Sequence, residues 1–486
     1  MQEDTSVVFV SNRGPVSFLS SEDSFETKRG AGGLAGAMDP VARRLGENAV
    51  WIAAATSDAD REALHAGVAD GLADDLGYSV YLLDVDPETY ARYYDEVANR
   101  MLWFANHCLW DEVETKAFGA AELDAWDHAY EPVNKHFAEA VCEVADPTSF
   151  VLFQDYHLYT APGHLRKMRP DQITLHFTHS SFCSDEGLDH LPRPIPQAVV
   201  EGMLGADLLG FHVAAWVHGF LDCAERIGAT VKRDLGLVEY EGRQTWVREY
   251  PIPVDGNDLR ERAAGPEAAS WRETFGGRTS GPLIVRADRT EPSKNIVRGF
   301  EAYGLLLDRR PDLAETTHFV ACVYPSRQTM PEYRRYTERI KASVESVNAL
   351  HPGAIDLFME DDFDRTLGAL RVYDVLLVNP LMDGMNLVSK EGPVVNEKDG
   401  VLVLSTGAGS FEEMGEAAIE IADPTSVEET AAALERALDL PADDRSRRAE
   451  DLRRRAQAHK PEDWIESQLA DLEAIEDGGP PVSPAC

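Results

Sequence analysis

The sequence predicts an α/β protein with two domains, and three observations lead to this prediction. A chain of 486 residues is too long for one ordinary core and favours two domains of roughly 200 residues or more. Short apolar runs, typical of buried parallel strands, alternate with helical segments in both halves. Between the halves, the prolines and glycine of 248–256 interrupt that alternation. The expected parts are an N-terminal domain, a C-terminal domain, a last helix packing back on the N-terminal domain, and a flexible tail, at 1–252, 253–458, 459–475 and 476–486.

The chain is strongly acidic. It has 85 acidic and 46 basic residues and a net charge of −39, which argues against nucleic acid or an anionic membrane as a partner. Only ten of the basic residues are lysines. An acidic, lysine-poor surface stays soluble in concentrated salt, so a high-salt cytoplasm is one hypothesis and an ordinary acidic enzyme is the other. In so acidic a chain, basic residues gathered at strand ends indicate an anionic ligand.

The N-terminus and the cysteines predict a cytoplasmic, reduced protein. No apolar run reaches the ~18 residues that a membrane span needs. The N-terminus lacks the basic region and apolar stretch of a signal peptide. The cysteines are widely scattered, without a CxxC pair, at 108, 142, 183, 223, 322 and 486. This spacing indicates neither a zinc site nor a disulfide framework.

The first half begins with a strand that ends near a basic residue. Arg13 follows this strand, and after a polar loop a glycine-rich turn over 28–37 runs into a helix of small residues. Such turns are common, but with Arg13 at a strand end we expect contact with a phosphate or pyrophosphate. A further helix is expected over 213–227. The strands predicted for this half lie at 6–11, 49–54, 79–83, 149–154, 173–178 and 204–211.

Polar side chains follow two of these strands directly. Asp155 comes after 149–154, and His179 comes after 173–178. In an open α/β sheet, catalytic groups are expected at the carboxyl ends of strands. A histidine with its hydrogen bonds satisfied in the core is the alternative for His179. The aromatic residues of 87–110 have helical spacing, and we expect most of them in the core.

The second half repeats the alternation and adds a pair of cations. Arg289 and Lys294 follow its first strand, in a turn where Pro292 is expected to start a helix. At this separation the two cations would not share a helix face, but across a turn they can converge on one anion. The strands predicted for this half lie at 283–287, 318–323, 356–359, 375–378 and 401–405.

The junction after the strand 375–378 is the strongest candidate site. A proline ends the strand because it has no N–H to donate, Gly384 allows close approach of the backbone, and a helix is expected from Asn386. The free N–H groups of such a junction suit a phosphate. Asp383 and Glu391 offer carboxylates to sugar hydroxyls. An ordinary strand–helix connection is the alternative.

Six short motifs occur along the chain. They are Val-Ser-Asn-Arg (10–13), Ala-Gly-Gly-Leu-Ala (31–35), Asp-Tyr-His-Leu (155–158), Arg289 with Lys294, Pro-Ser-Arg (325–327) and Asp-Gly-Met-Asn-Leu-Val-x-Lys-Glu (383–391). In this order they resemble the motifs of the trehalose-6-phosphate synthase family. The members of this family are retaining glycosyltransferases. The resemblance covers about residues 7 to 470. It implies the GT-B architecture, in which two Rossmann-like domains face a cleft.

The resemblance also implies a reaction. Glucose would pass from a nucleoside diphosphate glucose, such as UDP- or GDP-glucose, to glucose 6-phosphate, giving α,α-trehalose 6-phosphate. The leaving phosphate would take the acceptor proton on the same face, which retains configuration. The reaction would need no cofactor and no metal ion, and without a phosphatase-like extension the product is expected to leave phosphorylated. The nucleotide base stays open, and a dimer or tetramer is allowed.

The roles of the family's residues carry over by position. The catalytic residues would be Asp155, His179, Arg289 and Lys294. The acceptor would bind to Arg13, Tyr94, Trp103, Asp155 and Arg327. The donor would bind to Gly33, His179, Arg289, Lys294, Asp383, Gly384, Met385, Asn386, Leu387 and Glu391. The guanidinium and ammonium groups would neutralise the developing phosphate charge.

The loop after His179 departs from the family's pattern. Where the family has His-x-Pro-Phe/Trp-Pro, this chain has His-Ser-Ser-Phe-Cys at 179–183, so both prolines are absent. A different loop shape leaves open another acceptor, such as glycerol 3-phosphate or a phosphorylated cyclitol. A silent, sugar-nucleotide-binding regulator is the remaining alternative. It is disfavoured because every charged position of the family's site is filled.

Overall fold

The computed structural model describes residues 6–21, 24–29, 33–68, 71–113, 118–278 and 281–485. The chain divides into two compact units. Unit 1 takes Met1–Trp110, Thr115–Ile252 and Pro461–Cys486, and unit 2 takes Asp111–Glu114 and Pro253–Lys460. Among the described residues, no helix is both long enough and apolar enough to cross a membrane.

Unit 1 alternates strands and helices. Its strands are β1 (Val7–Ser11), β2 (Val16–Ser21), β3 (Ser24–Arg29), β4 (Ala49–Ala54), β5 (Ser79–Leu83), β6 (Phe150–Gln154), β7 (Thr174–Phe177), β8 (Leu208–Phe211), β9 (Thr230–Lys232), β10 (Leu237–Tyr240) and β11 (Arg243–Glu249). Its helices before the crossing to unit 2 are α1 (Gly33–Leu45), α2 (Asp58–His65), α3 (Leu72–Leu76), α4 (Pro87–Ala91), α5 (Trp103–Asn106), α6 (Ala120–Ala125), α7 (Glu131–Val144), α8 (Ala161–Met168), α9 (Asp185–Leu188), α10 (Ile195–Met203) and α11 (Ala214–Arg226). A π-helical stretch, Arg92–Leu102, joins α4 to α5.

Within the described part of unit 1, nine strands form one sheet in the order β5-β4-β1-β6-β7-β8-β11-β10-β9. Neighbouring strands from β5 to β11 are parallel, and β10 runs antiparallel to β11 and β9. The strand order reverses between β1 and β6. In open α/β sheets, ligands bind outside the carboxyl ends of the strands at such a reversal.

The predicted strands of this half are present, with two differences. The strand expected over 204–211 begins at Leu208, because Gly205 and Ala206 donate to carbonyls of the preceding helical turn and form a turn of their own. The expected polar loop before the glycine-rich turn is instead the antiparallel hairpin β2–β3. The strands β9, β10 and β11, which continue the sheet beyond β8, have no counterpart in the prediction.

Unit 2 has a smaller, wholly parallel sheet. Its strands are β12 (Leu283–Arg289), β13 (His318–Tyr324), β14 (Ile355–Phe358), β15 (Val375–Val378), β16 (Val401–Ser405) and β17 (Ile419–Ile421). Its helices are α12 (Gly256–Ala263), α13 (Pro266–Gly276), α14 (Ile296–Arg309), α15 (Pro311–Ala314), α16 (Pro331–Leu350), α17 (Phe363–Val372), α18 (Val388–Val395), α19 (Phe411–Met414), α20 (Val427–Leu438) and α21 (Ala442–Ala456).

The described strands of unit 2 are ordered β14-β13-β12-β15-β16-β17, so the order reverses between β12 and β15. Successive residues of these two strands enter different buried clusters. Val285 and Leu376 belong to one cluster, and Ile284 and Leu377 belong to the other. Because neighbouring side chains of a strand point to opposite faces, both faces of the sheet are covered by apolar side chains. This accounts for the continuous apolar runs in the sequence.

The last helix, α22 (Pro461–Glu476), belongs to unit 1. The Trp464 indole N–H donates to the Tyr250 carbonyl at 2.9 Å, and the Tyr250 hydroxyl donates to Asp471 at 2.5 Å. Beyond the helix, the Ser483 N–H donates to Asp471 at 2.8 Å, and Arg248 donates to the Ser483 carbonyl at 3.0 Å. The C-terminal segment, predicted to be flexible, therefore has hydrogen bonds to unit 1 at Ser483.

Candidate active site

Three predicted site residues of unit 1, Arg13, Asp155 and His179, follow the carboxyl ends of β1, β6 and β7, close to the point where the strand order reverses. Arg13 lies beside an aromatic stack, and its Nη2 donates to the Tyr94 hydroxyl at 3.1 Å. Tyr94 stacks on Tyr90 and His157 at centroid distances of 5.6 and 5.5 Å. Arg13 is exposed and Tyr94 is half-buried. A cation and a hydroxyl held together in this way suit a phosphate.

Trp103 is the first residue of α5, and it is only 2% exposed. Its ring stacks on His107 at a centroid distance of 4.1 Å. Most aromatic side chains of 87–110 are buried as predicted, including Tyr93 and Phe104. With so little exposure, Trp103 can offer a ligand only a small part of its ring.

Asp155 has a φ of 70°, a left-handed backbone conformation that is uncommon outside glycine. Its Oδ1 accepts hydrogen bonds from the backbone N–H groups of His179 and Ser180, at 3.2 and 3.4 Å. The carboxylate therefore fixes the start of the loop 179–183. Strained backbone of this kind concentrates at functional sites.

The His179 ring combines features of a site and of a core residue. Its Nε2 lies 2.9 Å from Gln154 Oε1, and its ring packs against His212 and Trp464. Burial and the neighbouring His212 lower the pKa of His179 well below its ordinary value. The ring is therefore neutral near pH 7. The packing matches the core alternative, and the position after β7 matches the predicted site.

Two predicted arginines of unit 2 share one buried carboxylate. Arg289 ends β12, and its Nη1 lies 3.3 Å from Glu291 Oε1. Arg327 Nη1 lies 3.5 Å from the same oxygen and donates to the Tyr333 hydroxyl at 2.5 Å. Glu291 is 2% exposed, whereas the Arg289 side chain is 47% exposed. The carboxylate orients both guanidinium groups, and Arg289 retains surface for a ligand.

Lys294 and Asp383 form a second, more buried pair. Their side chains are 12% and 14% exposed, and Nζ lies 2.5 Å from Asp383 Oδ2. Asn386 donates to the same carboxylate oxygen at 2.9 Å. Burial disfavours the charged ammonium, but Asp383, Asp288 and Glu291 outweigh burial and raise the pKa of Lys294. The lysine is therefore charged throughout the physiological pH range.

The turn after β15 brings the predicted donor residues together. Backbone hydrogen bonds join Asp383 to the loop 407–410, and the Ser410 N–H donates to the Met385 carbonyl at 2.8 Å. A side chain at Gly409 would come within 2.1 Å of the Gly384 carbonyl oxygen, so only glycine fits there. Gly384, Met385 and Leu387 thus lie in one ordered turn with Asp383.

The helix after this turn starts later than predicted. It begins at Val388, not at Asn386, because Asn386 has a φ of 70° and cannot take a helical conformation. The Asn386 side chain accepts from the Ser389 N–H at 3.2 Å, as a helix cap does. Glu391 lies in the first turn of α18, and burial raises the pKa of its carboxyl to about 7, against an opposing effect of Arg262.

The glycine-rich turn is described in part. Gly33 begins α1, and residues 30–32 lie outside the described residues. Lys28 and Arg29, expected in the turn, pair with Ser17 and Val16 in the hairpin. The contact of Gly33 with donor phosphates stays a prediction.

The expectation that the cysteines are unpaired is wrong for one pair. Cys108 and Cys183 form a disulfide with their Cα atoms 6.2 Å apart. Spacing in the sequence could not reveal it, because 75 residues separate the two. Among the described residues, Cys142, Cys223 and Cys322 are not part of a disulfide.

Sequence reasoning also missed residues that orient the predicted groups. Glu291 had a signal, since a carboxylate two positions after Arg289 and three before Lys294 is placed to pair with cations. No feature of the sequence indicated the stacking of His157 on Tyr94.

Within the described residues, no three His, Cys, Asp or Glu side chains gather in a way that could hold a metal ion. Independence from metals and cofactors stays a prediction.

Comparison with known proteins identifies the family. The sequence model of glycosyltransferase family 20 matches residues 5–474. A trehalose-6-phosphate synthase from Mycobacterium sp. (strain KMS) is 32% identical over 99% of this chain and 97% of its own. A validamine 7-phosphate valienyltransferase from Streptomyces hygroscopicus subsp. jinggangensis is 30% identical over 88% and 86%.

A solved structure supports the same relationship. The α,α-trehalose-phosphate synthase (UDP-forming) from Burkholderia vietnamiensis is 26% identical, with a TM-score of 0.82 over 98% of each chain. The predicted GT-B fold and the resemblance are both confirmed by these comparisons. The chain belongs to glycosyltransferase family 20.

Proposed function

We propose that this protein is a retaining glucosyltransferase that makes α,α-trehalose 6-phosphate from a nucleoside diphosphate glucose and glucose 6-phosphate. The observation that carries the proposal is the buried Lys294–Asp383 pair beside Arg289, where the strand order of unit 2 reverses. Family membership supports it, since the related mycobacterial protein of nearly equal length is a trehalose-6-phosphate synthase.

Unit 2 would bind the donor. Arg289 and Lys294 would contact the pyrophosphate and stabilise the charge that develops on the leaving nucleoside diphosphate. Asp383 would accept hydrogen bonds from glucose hydroxyls, and the N–H groups of 384–387 would add donors to the sugar and phosphates. Glu391 would bind the ribose hydroxyls. The ion pair with Asp383 supports this assignment because it fixes the ammonium before a donor arrives.

Unit 1 would bind the acceptor. Arg13, Tyr94 and Trp103 would contact the 6-phosphate, with Arg327 of unit 2 as a further ligand. Asp155 would orient acceptor hydroxyls. His179 is neutral and directs its Nε2 at the Gln154 side-chain oxygen, so it would accept a hydrogen bond from the transferred glucose through Nδ1 and would not act as an acid.

The chemistry needs no protein nucleophile. As the bond from glucose to the donor phosphate breaks, the acceptor hydroxyl would attack from the same face. The leaving phosphate oxygen would take the acceptor proton, so configuration is retained. Arg289 and Lys294 would supply fixed positive charge to that oxygen, and removing one such group typically costs ~10²–10³ in kcat.

The test is a panel of donors and acceptors, with release of nucleoside diphosphate as the readout. UDP-, GDP- and ADP-glucose would each be combined with glucose 6-phosphate, glucose, glycerol 3-phosphate and a phosphorylated cyclitol. We expect glucose 6-phosphate to give the highest kcat/KM and a product that hydrolysis converts to trehalose. Preference for the cyclitol would indicate an activity closer to that of the valienyltransferase relative. Binding without turnover would indicate a regulator.

Three finer expectations stay predictions. They are a cytoplasmic location, a role in osmoprotection and a homo-oligomeric state. The acidic composition motivates the second, because a compatible solute is useful wherever external salt is high.

A further inference from the structure

The disulfide joins two segments that carry predicted site residues. Cys108 follows α5, which begins with Trp103, and Cys183 ends the loop that begins with His179. In the proposed function Trp103 contacts the acceptor and His179 contacts the transferred glucose. The cross-link therefore joins the segment of Trp103 to the loop of His179.

Hydrogen bonds connect the same two segments around Asn106. The Asn106 carbonyl accepts from the Cys183 N–H and from the Ser181 hydroxyl, both at 3.0 Å. Its side-chain amide donates to the Ser180 hydroxyl at 2.9 Å and to the Tyr159 hydroxyl at 2.8 Å. One residue of α5 thus contacts three of the five residues of the loop.

The loop lacks the two prolines that the family's pattern places at the positions of Ser181 and Cys183. Proline restricts φ and so reduces the number of conformations open to a loop. Serine and cysteine leave these conformations open, and the disulfide supplies a different restraint at the same place. Cys108 itself has a φ of 50°, a conformation unfavourable for cysteine that the surrounding contacts must maintain.

We propose that the Cys108–Cys183 disulfide positions the 179–183 loop against α5, so that the affinity for the acceptor depends on the oxidation state of this pair. The proposal rests on the proposed function for the identity of the acceptor. Both cysteines are partly exposed, so a small dithiol can reach them. Once the disulfide is reduced, we expect the hydrogen bonds of Asn106 and Asp155 to leave the loop in several arrangements, of which one binds the acceptor.

The redox step is thiol–disulfide exchange. A thiolate of a dithiol attacks one sulfur of the pair and breaks the S–S bond, giving a mixed disulfide and one protein thiol. The second thiolate of the dithiol then attacks the dithiol's own sulfur in the mixed disulfide. This step closes a cyclic disulfide and releases the second protein cysteine as a thiol. The protein gains two electrons and two protons as two thiols, and the dithiol is oxidised by the same amount.

The test compares oxidised protein, dithiothreitol-reduced protein and the double variant Cys108→Ser/Cys183→Ser. If the reduced loop occupies the binding arrangement about one fifth of the time, the KM for glucose 6-phosphate rises about fivefold. Because His179 begins this loop and is proposed to contact the transferred glucose, the KM for the donor should rise as well, whereas kcat at saturating concentrations of both substrates should stay within about twofold. The double variant should match reduced protein and should not respond to dithiothreitol. Cys142→Ser, which removes a free thiol of unit 1, should respond as wild type does.

A second measurement does not depend on activity. Hydrogen exchange of the 179–183 amides should quicken on reduction, while exchange in β6 stays unchanged. Equal acceptor KM values and equal exchange in the two states would overturn the proposal, as would recovery of both cysteines as free thiols from oxidised protein. Faster exchange without any turnover of glucose 6-phosphate would support the positioning role of the disulfide and reject the proposed acceptor.

Discussion

Replacing Lys294 with alanine tests the donor site most directly. Nζ lies 2.5 Å from Asp383 Oδ2, and the two side chains are only 12% and 14% exposed. The change removes the ammonium proposed to stabilise the leaving phosphate, so kcat should fall ~10²–10³-fold. The KM for glucose 6-phosphate should change far less, because the lysine is not proposed to contact the acceptor.

The same change also has a cost in stability. Removing one partner of a buried ion pair leaves the other charge unpaired and typically costs ~3–5 kcal/mol. Asp383 keeps the hydrogen bond from Asn386 and some exposure, so we expect the lower end, about 3 kcal/mol. The pKa of Lys294 is raised in the folded protein, so its contribution is complete below the unfolded pKa and is lost as pH rises through the folded pKa. The full cost should therefore appear at neutral pH.

Steady-state kinetics and urea unfolding separate the two effects. Lys398→Ala is the matched control, since Lys398 also pairs with an aspartate of unit 2, at 3.0 Å, but is 45% exposed. The double variant Lys294→Ala/Asp383→Asn should recover much of the stability, because it no longer has an unpaired buried carboxylate. It should not recover kcat, because the ammonium is still absent. Near-wild-type kcat in Lys294→Ala would refute the assignment of this lysine to the leaving phosphate.

The remaining predictions concern the acceptor, pH and salt. Arg327→Ala should lower kcat/KM for glucose 6-phosphate roughly ten- to a hundredfold and leave any weak use of glucose nearly unchanged. The exposed Arg309→Ala is the control. Equal loss of kcat/KM for both acceptors would mean that Arg327 supports the fold or donor binding. The pKa of Glu391 is raised to about 7, and an ionised carboxylate accepts hydrogen bonds from ribose hydroxyls better than a protonated one. The kcat/KM for the donor should therefore rise as pH increases through about 7. The pH profile of Glu391→Gln should lack this rise. With a net charge of −39, the melting temperature should rise from low to molar KCl as self-repulsion is screened, and a flat or falling midpoint would reject the high-salt hypothesis.

The strands that build the two sheets could be predicted from sequence because they are buried on both faces. β1, β6 and β15 contain only buried residues; β15 is apolar throughout, and β1 and β6 are apolar up to their last residue. The strands β9 and β17 were missed for the opposite reason. They are three residues long, lie at sheet edges and include exposed positions, so no apolar run marks them.

The candidate site could be predicted only as a set of positions. Motif order identified the residues, but it did not show that Glu291 lies between Arg289 and Arg327, or that Trp103 is almost wholly buried. The disulfide was not predictable either, because pairing of Cys108 with a cysteine 75 residues away depends on tertiary packing and leaves no local pattern.

Backbone conformation explains why local sequence was a weak guide at the site. Among the described residues, six other than glycine have a positive φ, and they include Asp155, Asn295, Arg327 and Asn386. Asparagine and aspartate tolerate this conformation, so three of these four carry a modest signal. Arginine does not favour it, and Arg327 is held by its bond to Tyr333 and by the turn in which the Met330 N–H donates to its carbonyl at 2.9 Å. The position of this guanidinium is therefore set by packing in unit 2, so substitutions at Tyr333 should disturb the acceptor phosphate as Arg327→Ala does, although the tyrosine itself is buried.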